Sequence, residues 1–466
     1  MRNILQRGVM KFYFLNKIEY INKHVKYKYE ILTAIQVCLI GISLCMPIIQ
    51  PNDFYRTVVG CGFIFSILII GLFFSARVFK EYRMKKMYGI LLSVIGYSFI
   101  FNGIYYAVFA YLLIGTIFCA VVPLQNIVFF ASARKQILKK LAEGILLSFV
   151  IFIVISILIG PALGQDQYES ILVNPNTLGN YMSIVTTASL FMIYNKYKLH
   201  SKYIYFYYII LSICVIFTIY SNSRSSIIAI FMQFFAIGLV LILQRLISYN
   251  WKGILNLLKQ GVCFLIITAV LFFAMFYILT DVKKSIINIV PDFQITKQCE
   301  EITVRDMLSR MSIRYTKGIK TNTFEPSVDN DEFTSGRKDI WKQFIMNIGL
   351  KGHKEEGRKI IEENRAYQNT NAHNVYIQVG YSAGIIAGIA MILLMLLVAK
   401  DLFIRLFRAV RQKTIDEEFI FILCSALGFA VFSLTSGGYM LYTYLPATIF
   451  YFSLFVLSVE ERTYIR

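Results

Sequence analysis

Two arginines and one histidine stand apart from the rest of the charge in this sequence: Arg224, Arg337 and His373. Arg224 lies in Ser221-Asn222-Ser223-Arg224-Ser225-Ser226, a polar turn that opens an apolar run. A cation at a helix start opposes the macrodipole and is disfavoured there unless an anion compensates it. Arg224, the N–H groups of that helix start and the hydroxyls of Ser223 and Ser225 together offer a seat for a phosphate or diphosphate. For Arg224 alone, an isolated outer cation without a role is the other reading. Arg337 follows Ser335-Gly336 and begins a stretch in which Arg337, Trp341, Phe344, Ile345 and Ile348 recur on one helical face. Such a helix lies on a membrane surface or caps a bundle, with Trp341 at headgroup level. Plain snorkelling of Arg337 along apolar surface is the alternative.

His373 sits in Asn371-Ala372-His373-Asn374-Val375-Tyr376-Ile377-Gln378, where a long polar segment returns to an apolar run. His24 and His200 fall among inner charges and His353 in a Lys/Glu-rich stretch, which leaves His373 best placed for acid or base work. A capping or interface-anchoring histidine is the other reading. Asn374 and Tyr376 beside it are candidate substrate contacts. In Asn174-Pro175-Asn176-Thr177-Leu178-Gly179-Asn180, helix capping accounts for Asn174, whereas Asn176 and Asn180 are left to hydrogen-bond sugar hydroxyls; all three, with Trp341, are candidate substrate contacts.

The elements that position these groups are membrane spans. Of 466 residues 57% are hydrophobic, mean hydropathy is +0.61, and 47 Lys and Arg face 27 Asp and Glu, which excludes an ordinary soluble enzyme. Reading apolar runs between charged punctuation predicts an all-α polytopic membrane protein of about 12 transmembrane helices. The first six are Ile31 to Ile49, Thr57 to Ala76, Met87 to Phe101, Ile104 to Val122, Gly144 to Ile159 and Leu178 to Tyr194. The others are Tyr203 to Tyr220, Ser225 to Leu243, Gly261 to Thr280, Val375 to Ala399, Phe419 to Leu434 and Met440 to Val459. The organisation is thus an arm over 1–30, nine spans over 31–280, a large external loop with amphipathic helices over 281–372, three spans over 373–459 and a tail over 460–466.

Alternate short loops carry 20 Lys and Arg against two, Arg56 and Arg224, on the opposite side. That asymmetry places both termini in the cytoplasm and the long loop outside. The net charge of +20 is therefore mostly topological; it points to the lipid bilayer as partner and to no nucleic acid. Seven of eight cysteines lie in apolar runs, and only Cys299 is expected outside, where it has no disulfide partner. No metal-ligand spacing and no Gly-rich phosphate loop occur, so neither a metal nor a cofactor is expected. The predicted spans contain no Asp, Glu, Lys, Arg or His, which argues against an ion-coupled transporter.

In order and context, these pieces resemble the O-antigen ligase and O-antigen polymerase superfamily of bacterial surface-polysaccharide membrane glycosyltransferases. The resemblance rests on the Asn-Pro-Asn span start, the Ser-Arg-Ser turn and the Ser-Gly-Arg followed by Ile340-Trp341. Its most specific part is His373-Asn374-Val375-Tyr376-Ile377-Gln378 running on to Gly384-Ile385-Ile386-Ala387-Gly388. A glycine pair frequent in the family is only approximated by Gly349-Leu350-Lys351-Gly352-His353. The resemblance implies a GT-C-like helical fold and metal-independent transfer from an undecaprenyl-diphosphate-linked oligosaccharide, outside the bacterial cytoplasmic membrane. Arg224 and Arg337 would neutralise the leaving diphosphate, and His373 would take the proton of the attacking hydroxyl. The expected activity is polymerisation of repeat units into a capsule, exopolysaccharide or O-antigen, with a flippase and a chain-length regulator of the same pathway as partners. Ligase-type transfer of the finished glycan to another acceptor is the alternative, and a lipid-linked oligosaccharide flippase is the reading from another class.

Overall fold

Apolar runs of this length satisfy their backbone only by coiling into helices, because lipid offers no hydrogen-bond partner. The structure, a computed structural model, describes residues 81–131, 134–163, 167–172, 174–285, 337–355, 357–362, 365–436, 438 and 444–462, with Val304, Arg305 and scattered positions between Glu30 and Leu44. The chain is an all-α polytopic membrane protein. Eight helices among the described residues are long and apolar enough to cross a bilayer: α1 (Lys86–Tyr106), α2 (Phe109–Ala131), α3 (Arg134–Ile159), α5 (Ile204–Ser221), α6 (Arg224–Ile247), α7 (Trp251–Ser285), α10 (Ile385–Arg411) and α11 (Glu417–Thr435). Between them stand α4 (Pro175–Lys198), the short helices α8 (Arg337–Ile345) and α9 (Val375–Ala383), and α12 (Leu445–Ser458).

Helix α4 is too polar to count by hydropathy, yet it is the hub, packed by α3, α5, α6, α11 and α12. It buries Ser183, Thr186, Thr187 and Ser189. Gln233 of α6 satisfies part of that polarity: its Nε2 lies 3.2 Å from Ser183 Oγ and 3.1 Å from Thr187 Oγ1, and 2.9 Å from the Cys424 carbonyl of α11. A buried amide shared by three helices fixes their register where dispersion alone would let them slide.

Several helix ends carry the charge that the macrodipole favours, although Lys86 and Arg134 open α1 and α3. Lys196 and Lys198 close α4, Arg245 lies in the last turn of α6, Arg408 and Arg411 close α10, and Glu417 and Glu418 open α11. At this same end of the bundle the strands β1 (Tyr82–Met84) and β4 (Val459–Glu461) pair antiparallel, Tyr82 opposite Glu461, with Arg83 and Glu460 ion-paired at 2.9 Å. That clip ties the end of α12 to the start of α1. A second antiparallel pair, β2 (Arg358–Glu362) and β3 (Arg365–Thr370), lies in the long segment before α9.

The expected spans differ from these helices in instructive ways. The third and fourth are divided at Ala107 (φ 54°) and not at Asn102-Gly103. Asn102 stays helical because its Nδ2 donates to the Ser382 carbonyl at 3.0 Å, an interhelical bond that needs it on the packed face. The fifth begins at Arg134, ten residues before the expected Gly144, its amphipathic first turns being too charged to read as membrane. The tenth, expected as one run from Val375 to Ala399, is two helices broken at Gly384. The twelfth is described only from Tyr444 onward. The second span, most of the first, most of the arm over 1–30 and most of the loop between Ser285 and Arg337, Cys299 included, lie outside the described residues.

Gly384 has φ +95°, and a Cβ there would stand 2.2 Å from the Leu350 carbonyl oxygen. The segment after α8 is laid against this break: Ile385 N donates to Gly349 O at 2.9 Å, and the His353 ring stacks on Tyr381 with centroids 3.9 Å apart. The Tyr106 and Tyr111 hydroxyls hold the Gly352 and His353 carbonyls at 2.8 and 2.9 Å. Gly384→Ala is therefore expected to destabilise the protein by about 1–3 kcal/mol. The check is the thermal unfolding midpoint in detergent, where an unchanged value would show that the break tolerates a side chain.

Candidate active site at one end of the bundle

Helices α4, α6, α8, α9 and α12 all begin at the end of the bundle opposite the β1–β4 clip. Asn174, extended at φ −152°, caps α4 by accepting from Asn176 N at 2.8 Å and Thr177 N at 3.4 Å, with Pro175 at the first helical position. Asn374, at φ −155°, caps α9 in the same way, accepting from Tyr376 N at 3.0 Å and Ile377 N at 3.2 Å. Two stretches far apart in the chain thus present their helix starts, with positive dipole ends, to one region.

The turn between α5 and α6 is held against α4 by a chain of hydroxyls. Ser226 Oγ donates to Ser223 Oγ at 2.8 Å, Ser223 Oγ donates to Asn176 Oδ1 at 2.9 Å, and Ser225 Oγ lies 3.4 Å from Ser223 Oγ. Asn222 turns the chain at φ 48°, the left-handed conformation that Asn tolerates well. The close approach requires Gly179, since a Cβ there would fall 1.5 Å from Ser226 Oγ. Arg224 is delivered as the first residue of α6.

Arg337 is the first residue of α8. That helix packs through Ile340 and Phe344, the latter edge-on to Tyr381 at 4.7 Å, while Ile345 is 54% exposed. The apolar stripe is thus centred on Ile340, Phe344 and Ile348 and does not include Ile345. Trp341 is half-buried, and its Nε1 is buried with no hydrogen-bond partner among the described residues. Ser335 and Gly336 lie outside the described residues.

His373 is held in the left-handed region at φ 47°, rare for a side chain other than Asn or Gly. Its backbone N–H donates to Asn371 Oδ1 at 2.9 Å. Gln378 reaches back from α9 so that its Oε1 accepts from Ala372 N at 2.8 Å, and its Nε2 donates to Ser382 Oγ at 2.9 Å. The residues on either side of His373 are therefore fixed by the same helix start, and local strain is maintained by these surrounding bonds.

The structure brings Arg337 within electrostatic reach of Arg224 on one side and of His373 on the other. Burial, and then the Arg224 charge, push the Arg337 guanidinium below its ordinary value, with Tyr444 acting the other way. Burial, and then Arg337, push His373 below the ordinary imidazole range, so the ring is neutral and able to accept a proton at pH 7. Tyr444 is a participant that sequence reading missed: it is buried, and its hydroxyl donates to Asn180 Oδ1 at 3.3 Å. Among Tyr439, Tyr442 and Tyr444, nothing in the sequence singles out the last. Asn371 and Gln378 were visible in the motif, but their supporting roles were not.

Several expected substrate contacts have scaffold work. Asn174 and Asn374 cap helices, and Asn176 and Ser223 anchor the arginine turn. Tyr376 Oη lies 2.9 Å from Ser433 Oγ of α11. Among the described residues no group of three or more His, Cys, Asp or Glu is placed to hold a metal ion.

No curated protein matches the chain. Residues 207–392 match the family described as O-antigen ligase, a stretch that runs from α5 into α10 and contains Arg224, Arg337 and His373, and this match supports placing the chain in the O-antigen ligase and polymerase superfamily.

Proposed function

We propose that the chain polymerises undecaprenyl-diphosphate-linked oligosaccharide repeats, at the outer face of the bacterial cytoplasmic membrane, into a surface polysaccharide. The family match supports ligase- or polymerase-type activity. The observation that carries the finer reading is the convergence of two arginines and a neutral histidine at helix starts. In the transfer, His373 takes the proton from a sugar hydroxyl of the acceptor, and that oxygen bonds to the anomeric carbon of the donor glycan. The anomeric C–O bond to the diphosphate breaks, and its electron pair leaves with the diphosphate oxygen. Arg224, Arg337 and the N–H groups of the helix starts meet the charge that develops there. The activated donor supplies the energy, so no nucleotide is required.

Ligase-type transfer is the second reading, favoured by the description of the matched family itself. Incubating purified protein with a lipid-linked repeat separates the readings. Polymerisation yields a ladder of lengthening lipid-linked glycans, ligation needs a second acceptor before any product forms, and a flippase leaves the lipid-linked repeat chemically unchanged. Activity is expected to persist in excess EDTA. Loss on chelation with recovery on adding Mg²⁺ or Mn²⁺ would return the loop acids Asp329, Asp331 and Glu332, which lie outside the described residues, to consideration.

The outward orientation of this end rests on the Lys and Arg asymmetry of the loops. Cys299 is accordingly expected to react with a membrane-impermeant thiol reagent in spheroplasts, whereas a cysteine placed at Lys135 is protected. The reverse pattern inverts the topology and with it the face of the site.

A further inference from the structure

At the end of the bundle away from the arginines, a cavity of about 270 Å³ opens between the ends of α4, α6 and α10. Its wall carries Lys198, His200, Arg245 and Lys413, with Tyr197 and Gln244 among them. We propose that this cavity binds a phosphate group from the inner side of the membrane, as part of an anionic lipid headgroup or as a free phosphate.

Cations at helix C-termini are expected on dipole grounds alone, which accounts for Lys198 and Arg245 being there. It does not account for the space kept between them, nor for their incomplete pairing. Lys198 reaches Glu417 only at 3.8 Å. Arg245 donates through one terminal nitrogen to the Tyr197 hydroxyl at 3.4 Å, and its Nε is buried with no hydrogen-bond partner among the described residues. The Nε itself is sealed off, but the terminal nitrogens, held only by that long bond to a neutral hydroxyl, can turn onto a phosphate oxygen, a stronger charge-assisted bond.

The cavity is also built to stay open. Gln244 Nε2 donates to the Lys413 carbonyl at 2.5 Å and Tyr194 Oη to the Ile415 carbonyl at 2.9 Å, so the turn after α10 is tied to α6 and α4 at the margins. Lys413 (φ 56°) and His200 (φ 48°) are the left-handed residues at which α10 and α4 end, so the cavity is bounded by two helix stops. Water occupies about 30 Å³ per molecule in the liquid, so the volume exceeds one bare phosphate and suits a phosphoglycerol-sized headgroup. Where the loops that frame it face the cytoplasm, the inner leaflet supplies such groups at high local concentration.

The test uses the full-length protein in neutral detergent. Retention of phosphatidylglycerol, of phosphatidylcholine as the neutral-headgroup control, and of inorganic phosphate is measured by native mass spectrometry and by thermal stabilisation. Wild type is compared with Arg245→Gln, Lys413→Gln and the pair combined, and with Lys252→Gln/Lys259→Gln, which removes two inner charges outside the cavity. The expected result is selective retention of phosphatidylglycerol, reduced tenfold or more in the cavity double variant and less than twofold in the control. Protection by inorganic phosphate with the same variant pattern, and no preference for phosphatidylglycerol, supports the site with a soluble ligand. Equal losses in cavity and control variants reduce the effect to general surface charge and overturn the proposal, as does a wild type that retains neither probe. Lys413→Gln alters a surface turn and keeps the test available if Arg245→Gln misfolds.

Discussion

His373→Ala is expected to reduce single-turnover glycan transfer by roughly 10²- to 10⁴-fold while leaving donor binding within about a factor of two, because a neutral imidazole contributes little to holding a diphosphate. Its environment adds a pH signature. Burial and the Arg337 charge hold the ring below the ordinary imidazole range, so the proton-accepting form already dominates at neutrality. Transfer should therefore fall only as pH drops through a value below about 6.5, and be level above it. Arg337→Gln removes one of the two causes, and its remaining activity should show that midpoint moved upward. Near-normal turnover in His373→Ala would remove the histidine from the chemistry. A midpoint unmoved in Arg337→Gln would show that the two groups do not act on one another.

The arginines should behave differently. Arg224→Ala and Arg337→Ala are each expected to weaken binding of undecaprenyl diphosphate and to lower transfer by roughly 10²- to 10³-fold, since the diphosphate is charged before and after the bond breaks. Lysine at either position should recover part of the loss, restoring charge without the planar fork. Binding and single-turnover transfer measured in one detergent, with folding checked by monodispersity and thermal midpoint, separate the two classes of defect. Unchanged lipid binding in both alanine variants would sink the diphosphate seat.

Much of this was legible because charge is conspicuous in an apolar chain. Arg224, Arg337 and His373 could be singled out at helix starts or re-entry points, and the structure places them together. The spans were readable wherever hydropathy alone decides, and α4 was readable despite its polarity as the run Leu178 to Tyr194, three residues short of its start at Pro175. What hydropathy does not encode is where an apolar run bends. Gly384 and Ala107 lie in sequence that reads as continuous or nearly so; the segment after α8 is laid against the first, and the second is a left-handed helix stop at an alanine, which carries no stop signal. Side-chain roles were ambiguous for a different reason. An asparagine that caps a helix and one that binds a sugar hydroxyl use the same atoms, so Asn174, Asn176 and Asn374 looked like ligand contacts before their hydrogen bonds were known. Ile345 illustrates the same limit on a helix face, where spacing includes it and packing leaves it in the open. The strands β1 and β4, joined across most of the chain, have no local signal at all.

The break at Gly384 also decides which parts of the site travel together. Through Phe344 against Tyr381, and Gly349 against Ile385, the helices bearing Arg337 and His373 are fastened into one piece. Arg224 is anchored differently, tied to α4 through Ser226, Ser223 and Asn176, while its helix α6 also packs on α10. Under the proposed function, the two arginines therefore reach the donor from differently anchored segments. Like charges repel, and a diphosphate between them would reverse the sign of that force. Holding the donor would then also draw the two segments together, and departure of the diphosphate would release them.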